Sequence, residues 1–219
     1  MKRLLPLAFL SLMACSLMAC AGTVPDPDAA QTERPGVVLE TELGEIRLSV
    51  HLDDAPVSAG DFLKYVDEGL YDGEGFYRVV RPDNDPRGMG MSLIQGGIID
   101  IGTDADRYGD FATPPIAHER TTETGLSNVR GVVSIARDAP GTGSAGFFFI
   151  NVGDNSFLDT GGTRNPDGEG YATFARVVGG MEVVEAIQAR EAGGESPSPA
   201  TTDQYLTEPV RILRAYRTF

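Results

Sequence analysis

Arg78 and Gln95 are the two residues whose type and setting point most directly to chemistry. Arg78 lies in the run Gly75-Phe76-Tyr77-Arg78-Val79-Val80, and Gln95 in Leu93-Ile94-Gln95-Gly96-Gly97. Both runs are apolar enough to read as buried or half-buried strands. A permanently charged guanidinium in such a strand is costly unless hydrogen bonds or a ligand meet it. Gln95 adds a fork of donors and acceptors on a neighbouring strand. A cationic donor and an amide framed by aliphatic and aromatic residues suit a neutral, carbonyl-bearing ligand better than a phosphate or a metal ion.

Other chemistries find no support. His51 and His118 are the only histidines and lack ligand spacing. The acidic, Gly-rich run from Asp154 to Glu169 does not follow calcium-loop spacing. No Gly-rich phosphate loop opens a helix, and no Gly-x-Ser-x-Gly elbow appears. Both cysteines, Cys15 and Cys20, fall in the first twenty residues, so the folded domain has no disulfide, thiolate nucleophile or Cys-based metal site. No metal and no cofactor are expected. The net charge of −14 repels nucleic acid and anionic lipid surfaces.

The elements that must position Arg78 and Gln95 begin after a leader. Residues 1–20 read as a secretory signal, with Lys2 and Arg3 before an apolar stretch from Leu4 to Ala19. Leu17-Met18-Ala19-Cys20 resembles a bacterial lipobox, which implies cleavage before Cys20 and lipid on its thiol. A repeated Ser-Leu-Met-Ala-Cys offers Cys15 as an alternative, but Cys20 leaves the longer apolar region. Residues 21–36, rich in Pro, Asp, Ala and Thr, read as a flexible tether. Ala21 is not the aspartate that retains many lipoproteins at the inner membrane. The expected location is therefore the bacterial cell envelope, facing the periplasm, with a preference for the outer membrane.

Residues 37–219 read as one domain. Strands are expected over 37–41, 45–50, 75–80, a run that ends at Gln95, 131–136, 147–151, 171–178 and 210–216. One helix opens at Asp53-Asp54-Ala55-Pro56, capped by Asp54 or Ser58, with Val57, Phe62, Leu63 and Val66 as its apolar stripe. A second, shorter helix covers 180–187, and 100–113 and 121–130 read as loops. Eight short strands and two helices bury their apolar faces most simply as a mainly β fold: a closed antiparallel barrel capped by helices.

In order, these segments resemble the cyclophilin family of peptidyl-prolyl isomerases. The resemblance is carried by Thr41-Glu42-Leu43-Gly44-Glu45-Ile46, Ala55-Pro56-Val57-Ser58-Ala59-Gly60-Asp61-Phe62-Leu63, Gly69-Leu70-Tyr71-Asp72-Gly73 and Phe76-Tyr77-Arg78-Val79-Val80. It continues through Ile94-Gln95-Gly96-Gly97, Gly131-Val132-Val133-Ser134-Ile135-Ala136-Arg137, Phe148-Phe149-Ile150-Asn151 and Gly180-Met181-Glu182-Val183-Val184. It implies an eight-stranded barrel with two helices and a surface groove for proline-containing polypeptides. It also implies catalytic roles for Arg78 and Gln95. Leu93, Phe149, Phe157 and Leu158 match the apolar seat of the proline, Ala136 and Arg137 the strand edge that pairs with substrate backbone, and Tyr171 a position where many members have histidine. The protein is expected to act as a monomer.

Three features depart from the family pattern. Ser92 stands where phenylalanine is usual, Phe147 where a glutamine precedes the paired phenylalanines, and Phe157 where many eukaryotic members have tryptophan. The connection from Arg81 to Met91 is also longer than usual, which leaves open a lip on the groove or a plain surface insertion. These departures keep a second reading open beside the isomerase: a cyclophilin-like module that binds peptide or protein with little or no turnover.

Overall fold

The computed structural model describes residues 34–99 and 113–218. The leader, its two cysteines and most of the tether and of the 100–113 loop lie outside them. Eight strands form: β1 Gly36–Thr41, β2 Gly44–Val50, β3 Gly75–Val80, β4 Leu93–Gly97, β5 Val132–Ile135, β6 Phe147–Asn151, β7 Thr173–Gly179 and β8 Tyr205–Thr218. They close into an antiparallel barrel in the order β1-β2-β7-β5-β6-β4-β3-β8, as expected. β8 is longer than its apolar pattern announced, because it pairs with both β1 and β3.

Among the described residues three α-helices accompany the barrel: α1 Pro56–Asp67, α2 Thr121–Thr124 and α3 Met181–Gln188. The single turn α2 interrupts a stretch read as loop. The start of α1 also differs from expectation. Its cap residue is Ala55, and neither Asp54 nor Ser58 caps it. The carboxylate of Glu119 does so from a distant segment, accepting from the N–H of Val57 at 3.0 Å and of Ser58 at 2.7 Å. Asp54 turns instead to Arg34 and to His51 Nδ1. Val57, 39% exposed, drops out of the apolar stripe. Ala59 and Tyr65 join Phe62, Leu63 and Val66 there. The end of the expected tether is tied to the barrel, since the Pro35 carbonyl accepts a hydrogen bond from the Val50 N–H at 2.9 Å.

The barrel interior is apolar and close-packed. Leu39, Ile46, Phe76, Ile94, Phe148, Ile150 and Phe174 are fully buried there. Phe62 of α1 joins them, with ring centroids 4.9 Å from Phe174 and 5.8 Å from Phe148. Each such side chain stabilises the fold by about 1.5–3 kcal/mol, so stability rests on this interior. A smaller cluster of Val80, Met91, Leu93, Phe149 and Leu158 lies apart from it, on the other face of the same strands.

Strand alternation separates the two clusters. On β4, Ile94 joins the interior while Leu93 and Gln95 face outward; on β6, Phe148 and Ile150 point in while Phe147 and Phe149 point out. On β3 a bulge breaks the alternation. Phe76 pairs with Gly96 and Arg78 with Gln95, which leaves Tyr77 as the extra residue. Phe76 and Val79 both reach the interior, and Tyr77 and Arg78 both face the outer side. Without the bulge, Arg78 would share the inward face of Phe76. At the end of β4, Gly97 has φ +133°, and a Cβ there would lie 2.1 Å from the Gly146 carbonyl oxygen. Glycine thus lets β4 close against the start of β6.

Candidate active site

The outer face of β3, β4 and β6 forms the floor of a groove of about 520 Å³. Arg78 stands on this floor as a half-buried group with every guanidinium nitrogen engaged. Its Nη1 donates to Gln95 Oε1 at 2.6 Å. Its Nε and Nη2 both donate to Gln204 Oε1, at 2.9 and 2.6 Å. Gln95 Nε2 donates in turn to the Tyr77 hydroxyl at 2.8 Å. Gln204 is fully buried, and its Nε2 donates to the Asn84 carbonyl at 2.8 Å. Amide oxygens meet the charge without neutralising it, so the guanidinium remains a fixed cation aimed at the groove. Burial lowers the Arg78 pKa from its ordinary value, and burial pushes the Tyr77 phenol up. Tyr77 therefore stays protonated at neutral pH.

The expected site residues assemble around this pair. Leu93, Phe149 and Leu158 form an apolar seat, with Tyr171 packed edge-on to Phe149 at 5.4 Å between ring centroids. Ala136 and Arg137 line the wall across the groove. The Arg137 guanidinium is committed elsewhere: to the Gly170 carbonyl at 2.8 Å, to Asp167 at 3.0 Å, and over the Tyr171 ring at 5.1 Å. What Arg137 offers a ligand is therefore backbone. Phe157 packs against the apolar cluster from outside and does not line the groove.

The departures from the family pattern now have physical meanings. Ser92 turns away from the groove, its Oγ accepting from Gln188 Nε2 at 2.9 Å. Met91, at the end of the extended loop, lines the groove instead and is nearly fully buried. The loop is a built part of the site. Asp85 accepts from the N–H of Arg87, Met89 and Met91, at 3.2, 2.9 and 3.2 Å. Burial pushes the Asp85 carboxyl up, but these three backbone donors outweigh it and hold the pKa below the usual range. Arg87 Nη1 then donates to the Arg164 carbonyl, tying the loop to the far rim. Phe147 is half-buried in the groove lining and contributes apolar surface where an amide was usual.

Several functional residues escaped the sequence reading. Gln204 carries no local signal, being 126 residues from Arg78. Tyr205 pairs with Arg78 in register and sets its ring 5.7 Å from that of Tyr77, tilted by 33°. Pro197, Ser198 and Thr201, from a stretch read only as polar loop, line the groove beside them. Behind the seat, Asp159 Oδ1 accepts from Asn128 N and Nδ2, both at 2.8 Å, and Asn128 Nδ2 also reaches the Tyr171 carbonyl at 3.3 Å. This buried network holds Leu158 and Tyr171 in place.

Comparison with known proteins agrees with this geometry. The family model described as cyclophilin type peptidyl-prolyl cis-trans isomerase/CLD matches residues 36–217. The chain belongs to that family. Peptidyl-prolyl cis-trans isomerase A of Dickeya dadantii is 35% identical over 186 residues, covering 85% of this chain and 88% of the relative. Peptidyl-prolyl cis-trans isomerase B of Escherichia coli is 34% identical over 157 residues, covering 72% and 86%. Among solved structures, a Cryptosporidium parvum cyclophilin determined in the presence of the dipeptide Ala-Pro shares the fold with a TM-score of 0.58 at 18% identity, covering 84% of this chain and 99% of its own. The protein is a peptidyl-prolyl isomerase by family and fold.

Proposed function

We propose that the groove accelerates rotation about X–Pro bonds in unfolded or secreted polypeptides, with Arg78 as the hydrogen-bond donor to the twisted transition state. Uncatalysed rotation faces a barrier of about 18–20 kcal/mol because the planar amide loses its resonance. No nucleophile is needed. A seat must hold the proline ring, and a donor must favour the twisted amide over the planar one. Leu93, Phe149 and Leu158 supply the seat. Arg78 supplies the donor, oriented by Gln95 and Gln204. Ala136 and Arg137 line the opposite wall; the Ala136 N–H is already bonded to the Phe147 carbonyl at 2.9 Å, so any backbone pairing to an extended peptide falls to the other groups of this edge. An acceleration of about 10⁵ asks for roughly 7 kcal/mol of differential stabilisation.

The observation that carries this reading is the guanidinium held by three hydrogen bonds to amide oxygens beside an apolar seat. The test is cis-to-trans exchange of a proline-containing peptide, followed with wild type and Arg78→Ala. Catalysed exchange that is lost in the variant is the expected result. Binding without exchange in the wild type would leave only a peptide-binding module.

We further propose that Cys20 carries lipid and holds the isomerase in the cell envelope, facing the periplasm, where it meets newly exported chains. The support is the signal-like leader and Leu17-Met18-Ala19-Cys20. Expression of the full chain should yield a membrane-associated form with a lipid-modified N-terminus by mass spectrometry. Cys20→Ala should release it, and a modification mapped to Cys15 would move the anchor.

A further inference from the structure

A second guanidinium without a carboxylate partner among the described residues faces the groove. Arg164 lines the groove from the far rim, its backbone N–H bonded to the Phe157 carbonyl at 3.3 Å. Its Nε is buried without a hydrogen-bond partner. Among the described residues, no carboxylate forms an ion pair with it. The neighbouring Asn165 has a second buried donor without a partner, Nδ2. Donors left in this state favour an incoming acceptor, because the burial cost is already incurred.

The surrounding charges leave a net positive spot. Burial disfavours the charged form of Arg164; Tyr171 and Asp85 favour it, and Arg87 opposes it. Asp85 keeps its charge, but its carboxylate oxygens are turned to three backbone N–H groups of its own loop and not to the Arg164 guanidinium. Asp138 is the one carboxylate among the described residues of the groove lining, and it forms no ion pair with Arg164. Asp167 is taken by Arg137. Among the described lining residues, two guanidinium groups without a carboxylate partner, Arg78 and Arg164, therefore stand with Met91, Leu158 and Tyr171, beside the paired Arg137 and a single carboxylate, Asp138. On a chain of net charge −14, this local reversal of sign calls for a ligand.

We propose that Arg164 is a specificity-determining residue that selects substrates with a carboxylate side chain beside the proline. The planar fork of a guanidinium matches a carboxylate in two parallel hydrogen bonds. Arg78 acts on the rotating amide, and Arg164 reads its neighbour. This inference rests on the isomerase reading of the groove, but its binding arm does not.

The test uses peptides that differ only at one residue flanking the proline, Glu, Gln or Lys, on either side in turn. With wild type, kcat/KM for exchange should favour Glu over Lys by about fivefold at one flank, and the ratio should shrink in high salt. Arg164→Glu should invert the ratio, and Arg164→Gln should bring it to about one. If Arg164→Glu does not fold, Arg164→Gln decides. Equal rates for Glu and Lys peptides at both flanks in wild type would overturn the proposal, as would a preference that survives both variants. Dissociation constants for the same peptides separate the two readings. A Glu preference in binding with no exchange removes the isomerase and keeps the specificity; exchange without preference does the reverse.

Discussion

Arg78 differs from an ordinary strand arginine in its partners. Gln95 and Gln204 accept from all three guanidinium nitrogens and leave the positive charge intact. Gln204 is thus a positioning residue. Gln204→Leu is expected to lower kcat about tenfold with little change in KM, because the lost hydrogen bonds orient the donor and do not hold the peptide. Gln204→Glu should not restore kcat, since it pairs the guanidinium with a carboxylate and loses the donor to the Asn84 carbonyl. A loss confined to thermal stability would contradict this role. The pH dependence follows from the same groups. Arg78 titrates far above neutrality even after burial lowers it, and burial raises Tyr77 away from neutrality. Exchange should therefore be flat between about pH 6 and pH 8; a bell-shaped profile would reveal a general acid or base that this chemistry does not need. Arg78 and Gln95 were legible because a charge and an amide in apolar runs are chemically out of place. Gln204 was not, because only the closure of β8 against β3 brings it near.

Elements decide where these side chains point. The bulge at Tyr77 turns Arg78 to the outer face, and no residue type in Gly75–Val80 announces a bulge. Alternation alone reads the strand as buried and leaves its arginine unexplained. The eight strands were legible from β-branched and aromatic runs bounded by glycines. The cap of α1 was not, since Glu119 comes from a distant segment. The extended loop from Arg81 to Met91 shows the same limit. Its length was visible, but its role depends on Asp85 folding it so that Met91 takes the place Ser92 vacates. Asp85→Ala should free the N–H groups of Met89 and Met91, with amide exchange there faster by about tenfold or more. It should also lower kcat/KM while leaving the melting temperature nearly unchanged, because the loop lies outside the barrel interior. Unchanged exchange at Met91 would show that the loop holds itself by other means.

The whole molecule places a small apolar site on the outside of a barrel whose interior supplies the stability. Changes on the groove face should therefore alter turnover more than folding. Stability has its own titrating group. His51 is buried beside Asp54, and burial lowers its pKa from 6.5 against the pull of that carboxylate. The unfolded chain takes up this proton before the folded one, so stability is lost as pH falls below about 6.5, with a slope of at most about 1.4 kcal/mol per pH unit. The melting temperature should drop between pH 7.5 and 5.5, and His51→Gln should flatten that part of the curve; an unchanged curve would place the loss elsewhere. The closed barrel makes a single fixed surface of β3, β4 and β6, so the central claim concerns what that surface binds best. The direct test measures both kcat for exchange and the dissociation constant of an unreacted proline peptide in Arg78→Ala. A transition-state donor predicts a fall in kcat of roughly 100-fold or more with peptide affinity within about threefold of wild type. A loss of affinity as large as the loss of rate would show that Arg78 only holds the planar substrate, and the account would fail.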